Sequence, residues 1–176
     1  MNLENIISVL KNYYPFGVSV LSEEYESSEE YLKRMQILHV DRKIELERMK
    51  SFKKILKKML NSNIESYSFV TGHLCHHYTF HIQSEPFKYY SLLISHIIPY
   101  YTIRTLNIRS WEEDFSSFQF NYPDIYDILN ALVIRFFPNY RIINNNEILN
   151  TAIEGVEIDQ IDSPTLLDLA FTNIKA

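Results

Sequence analysis

The segment GHLCHHYTFHI, residues 72–82, concentrates the side chains best suited to chemistry. Leu74, His76, Tyr78, Phe80 and Ile82 alternate with His73, Cys75, His77, Thr79 and His81, the period-two pattern of a β-strand. His73, Cys75, His77 and His81 therefore share one strand face, where imidazole and thiolate are suitable Zn²⁺ ligands. Their spacing matches no closed zinc motif, and a ligand from another element, His39 or His96, would have to complete a site. The plainer reading is that the same row is the solvent face of a half-buried antiparallel strand. Nucleophilic chemistry would instead need Cys75 activated by His77, and no glycine elbow or oxyanion loop accompanies them. No cofactor is expected, and Zn²⁺ enters only with the metal reading.

A second constellation is Trp111-Glu112-Glu113-Asp114. Acid–base catalysis needs one carboxyl in an apolar pocket beside one that stays ionised, whereas three adjacent acids read more simply as a solvated turn. Trp111, the single tryptophan, is either a core plug or an interface anchor. A third is the basic stripe Lys50, Lys53, Lys54, Lys57 and Lys58. Only Arg48 and Phe52 stand near it, too little for a nucleic-acid surface of arginines and stacking aromatics. Lysines late in a helix complement its dipole.

Charge is segregated along the 176 residues: −5 over 1–30, +7 over 31–60, +1 over 61–109 and −8 over 110–176, net −5. The acidic last block, with Glu147, Glu154, Glu157, Asp159, Asp162 and Asp168 joining Glu112, Glu113, Asp114, Asp124 and Asp127, repels nucleic acid and steers basic proteins toward itself. A single cysteine forbids an internal disulfide, and three glycines leave no phosphate-cradling loop. The start MNLENIISVLKNYY lacks the basic n-region of a signal peptide, and no apolar run reaches the roughly 18 residues of a membrane span. A cytoplasmic protein is the expectation.

These residues must be positioned by an α+β chain. Leu3, Ile6, Ile7 and Leu10 recur at helical spacing, and Ser27 with Glu30 reads as a capping box opening a run to Leu60, with a break near Asp41. Downstream, Ser84-Glu85-Pro86 predicts a helix start, with Phe87, Tyr90, Ile94, Ile97 and Ile98 on one face. Tyr101, Ile103 and Thr105 are then extended. Phe118 and Phe120 alternate like a strand, Pro123 opens a helix through Phe136, and Tyr140–Ile143 is extended again. The resulting order is βαβ twice, the series of a ferredoxin-like βαββαβ sheet. A helical N-terminal segment, 1–62, is expected to pack on an α+β sheet domain, 63–176, as one structural domain. Ser163-Pro164 predicts a short last helix carrying Leu166, Leu167, Ala170 and Phe171.

The stretch FQFNYPDIYDILNALVIRFFPNYRII and the acidic tail GVEIDQIDSPTLLDL resemble, in composition and layout, the small bacterial immunity proteins that neutralise polymorphic or contact-delivered toxins. The resemblance implies a non-catalytic module that binds a basic toxin or effector domain and occludes it through an acidic surface. Trp111, Glu112, Glu113, Asp114, Tyr122, Asp124 and Asp127 are the candidate partner-binding residues. Two readings stand beside it: an α+β enzyme or sensor that binds metal or a small ligand through strand 73–81, and a scaffold protein that self-associates through its N-terminal helices.

Overall fold

The computed structural model describes residues 2–39, 43–66, 74–158, 161 and 163–171. Four helices come first: α1 (Leu3–Leu10), α2 (Glu23–Ser27), α3 (Glu29–His39) and α4 (Lys43–Leu60). Asn2 opens α1 by accepting the Glu4 N–H at 2.9 Å. The expected cap one helix later moves by a residue: Ser27 ends α2, and the Ser28 hydroxyl receives the Tyr31 N–H at 3.2 Å to open α3. The expected break at Asp41 lies outside the described residues, between α3 and α4.

The sheet follows as β1 (Glu65–Ser66), β2 (Cys75–Phe80), β3 (Lys88–Ser95), β4 (Tyr100–Asn107) and β5 (Glu112–Asp114). Neighbours in sequence are neighbours in space, all antiparallel. After α5 (Phe118–Asn121) and α6 (Pro123–Phe136), β6 (Arg141–Ile142) adds a short parallel pairing to β4 at Tyr100 and Tyr101. Then come α7 (Asn146–Leu149) and α8 (Leu166–Ala170). The chain is thus α+β, with a meander in place of the ferredoxin-like βαββαβ order.

The correction turns on residues 87–98. They were expected as a helix, yet 88–95 form β3, the middle strand, paired to β2 and β4 along its length. Its apolar residues occupy both faces because both are covered at its Ile94 end, so the run is continuous and mimics helical spacing. Ser84-Glu85-Pro86 belongs to the β2–β3 connection instead of a helix start. Phe118 and Phe120, expected as strand, stand in α5. Asp114 ends β5 by accepting the backbone N–H groups of Ser116 (3.1 Å) and Ser117 (2.8 Å), which turns the chain into that helix. The last helix is where the sequence placed it, but Thr165 caps it, in a capping box with Asp168.

Two cores flank the sheet. On one face Tyr78, Phe80, Tyr90, Leu92, Ile94, Tyr101 and Ile103 pack under Met49, Phe52 and Leu56 of α4 and Leu129, Leu132 and Val133 of α6. On the other, Leu74, Cys75 and Leu93 pack with Ile6 and Leu10 of α1 and with Leu166, Leu169 and Phe171 near the C-terminus. The first sixty residues therefore contribute to both layers. Gly155 has φ +76° and its carbonyl receives the Gly17 N–H at 2.6 Å, so the loop after α1 is tied to the C-terminal segment at a backbone angle that favours glycine.

Candidate functional site

Among the described residues, the second sheet face is covered at its Cys75 end. There the Cys75 thiol donates to the Phe171 carbonyl at 2.8 Å and the Ser95 hydroxyl to the Ala170 carbonyl at 2.6 Å. Beyond them the face opens into a concavity of about 610 Å³, lined by His77, Thr79, Tyr89, Ser91, Arg104, Leu106, Ile108 and Trp111. Strand register builds its floor. His77, Leu93 and Thr102 form one row across β2, β3 and β4, Thr79, Ser91 and Arg104 the next, and Tyr89 pairs with Leu106 in the third.

The floor is polar and connected. Thr79 Oγ1 lies 3.1 Å from His77 Nε2 and 3.4 Å from Ser91 Oγ. Arg104 crosses to β5, where its Nη1 donates to Glu113 Oε1 at 3.1 Å, while its Nε is buried without a hydrogen-bond partner among the described residues. Such a floor offers hydrogen-bond donors and acceptors to an incoming polar group.

The lip is the β4–β5 connection. Trp111 N–H donates to the Asn107 carbonyl at 2.7 Å and Arg109 N–H to the Asn107 side chain at 3.0 Å, a tight turn that drives Trp111 to φ +59°. A bulky residue in the left-handed region is strained. The indole gains no burial in exchange, being 75% exposed. Of the two sequence readings of Trp111, core plug and interface anchor, the structure excludes the first. Glu112 and Glu113 follow it, both exposed.

The seven candidate partner-binding residues do not form one patch. Trp111, Glu112 and Glu113 share the lip. Tyr122 lies on the helix-covered side, its hydroxyl donating to Glu85 at 2.9 Å and 3.3 Å from the Tyr90 hydroxyl. Asp124 and Asp127 are exposed on α6, which covers that same side. Hydrogen bonds from Tyr122 and Lys88 hold the Glu85 carboxyl below the usual range.

Asp114 is a structural acid. Burial would raise its pKa, but hydrogen bonds from Ser117, Asn146 and Ser116 outweigh that and hold it well below the ordinary aspartate value. A depressed folded-state pKa means that the stabilisation is complete above the unfolded value of about 4 and is lost as pH falls below it. Asp114→Asn is therefore expected to cost about 1–2 kcal/mol at pH 7. The gap from the parent should narrow steadily as urea unfolding is repeated from about pH 4 downward.

Of the residues of the metal reading, Cys75 and His77 share one face of β2. His73 lies outside the described residues. Cys75 is buried under the C-terminal segment, and burial pushes its thiol up to about 12, so the thiolate that would bind metal or attack a substrate is suppressed. His77 joins the floor of the concavity. His81 is exposed past the end of β2, its ring 4.1 Å from that of Tyr89. Among the described residues no group of three or more His, Cys, Asp or Glu is placed to hold one metal ion. None of the described helices is long and apolar enough to cross a membrane.

Arg104, Ser91, Tyr89 and Leu106 are site residues that sequence reasoning missed. The missed signal was the pairing of β3 with β2: a helix over 87–98 scatters these side chains, and a strand aligns them.

No family model matches the chain, and no curated protein or solved structure matches it with significance.

Proposed function

We propose that this chain is a non-catalytic binding module that docks a basic protein onto the uncovered half of its sheet. One observation carries the reading: Trp111 is held at φ +59° and 75% exposed at the lip of the concavity, beside exposed Glu112 and Glu113. Backbone strain spent on presenting an indole to solvent is explained by a partner that buries it. Aromatic anchor and acidic rim are complementary: the first supplies affinity, the second steers a basic surface into register. In this reading the partner is a toxin or effector domain met in the cytoplasm. Neutralisation is occlusion, the acids pairing with basic groups that would otherwise hold its substrate.

The test starts with the chain as bait in extracts of its source cells. The captured protein should be basic, should arrest growth when expressed alone, and should be tolerated when the chain is co-expressed. With both proteins purified, Glu112→Gln/Glu113→Gln should slow association several-fold and flatten its dependence on ionic strength. A complex whose association rate ignores salt in the parent protein contradicts the electrostatic half of the reading. A partner whose growth arrest persists on co-expression contradicts neutralisation.

A second reading is favoured by the floor of the concavity: the polar row His77, Thr79, Ser91 and Arg104 suits a small hydrogen-bonding ligand within about 610 Å³. It predicts that changing Ser91 or Arg104 abolishes function while Glu112→Gln leaves it intact.

A further inference from the structure

Away from the sheet, the loop before α2 together with α2 and α3 forms an open cavity of about 420 Å³, lined among others by Val20, Leu21, Glu26, Arg34, Met35 and Leu38. Arg34 is the unusual member. It is 7% exposed, and its Nε is buried with no hydrogen-bond partner among the described residues. Its Nη2 donates to the Tyr25 hydroxyl at 3.4 Å, and its guanidinium lies 4.5, 5.9 and 5.2 Å from the ring centroids of Tyr14, Tyr25 and Tyr31. Among the described residues no carboxylate forms an ion pair with it. Asp168, buried and felt electrostatically at Tyr14, is committed to the cap of α8. Glu157 is committed to Ser19 and the Val20 N–H.

A largely buried guanidinium without an anion among the described residues is costly, and three π-faces compensate only in part. A buried fork of donors on the wall of an accessible cavity is instead half of a charge pair. We propose that this cavity binds a small organic monocarboxylate, its carboxylate on Arg34 and its apolar body against Val20, Leu21, Met35 and Leu38. Two features set the class. One buried cation, with the exposed carboxylate of Glu26 also on the lining, matches at most a single negative charge and disfavours the two of a phosphate. The aliphatic and tyrosine walls favour a ligand with an apolar body over a small hydrated anion.

Thermal unfolding and calorimetric titration of the full chain with phenylpropionate, phenylpropionamide and inorganic phosphate decide the matter. Phenylpropionate should bind at one site and raise the unfolding midpoint by about 3 °C at tenfold excess over its Kd. The amide, equal in shape but neutral, should bind at least about tenfold more weakly, and phosphate should not compete. Arg34→Met should abolish binding. If that variant does not fold, Leu21→Asp decides instead: Leu21 is 93% exposed at the wall of the cavity, so a charge there repels the carboxylate without touching the core. Its affinity should fall at least about fivefold by added like-charge repulsion. Failure of phenylpropionate to bind, equal binding of the amide, tighter binding of phosphate, or unchanged affinity in both variants overturns the proposal. None of these results bears on Trp111 or the sheet concavity.

Discussion

Trp111→Gly is expected to make the free protein more stable by about 1 kcal/mol, because glycine adopts φ +59° without the penalty a Cβ incurs. Little burial is lost, since the indole is 75% exposed. The same substitution should weaken the partner complex by about 2–4 kcal/mol, roughly 30-fold or more, the range for a central aromatic anchor. Opposite signs on stability and binding distinguish a strained binding residue from a structural one. Urea unfolding of the free chain gives the first quantity, and titration calorimetry of the complex the second. A tryptophan that merely packed on Ile108 and Leu106 would lower both together.

Phe52→Ala is expected to have the largest effect on stability. Phe52 is fully buried on α4, with ring centroids 5.0 Å from Tyr78, 5.2 Å from Phe136 and 6.4 Å from Phe137. It joins the sheet to both helices of its layer, and truncating it leaves a cavity among aromatic rings that are too stiff to close it. The cost should be about 3–5 kcal/mol. For a chain of this size that lowers the unfolding midpoint by roughly 10 °C or more. Both cores share β2 and β3, so the loss should appear as one cooperative transition, read equally by near-UV and far-UV circular dichroism.

The alternation was legible across residues 75–80, where β2 carries Cys75, His77 and Thr79 on one face and His76, Tyr78 and Phe80 on the helix-covered one, whereas Leu74, expected with the second set, packs in the core with Cys75. β3 was not legible for the opposite reason. A middle strand with Leu92 and Ile94 on one side and Leu93 on the other reads as a solid apolar run, and the prolines at 86 and 99 frame it like a helix. That one misreading changed a meander into a βαββαβ order and hid the row Thr79–Ser91–Arg104, which exists only when three strands are in register. Short elements escaped for a non-local reason: α5 depends on a carboxylate, Asp114, that accepts a hydrogen bond from Asn146 (3.0 Å), thirty-two residues on. Trp111 stood out as the single tryptophan, but no pattern of residue types announces a positive φ at a tryptophan. The charge blocks also needed three dimensions. Asp124 and Asp127 belong numerically with Glu112 and Glu113 and lie on α6, across the sheet from the lip.

A basic partner docked on the open part of the sheet, as proposed, should leave its footprint in hydrogen exchange of the chain, free and in complex with the protein it captures. New protection is expected in the turn 107–111, along β5 and at the exposed ends of β3 and β4, with α4 and α6 unchanged. Protection confined to α4 and α6, with 107–114 exchanging as in the free chain, would contradict it.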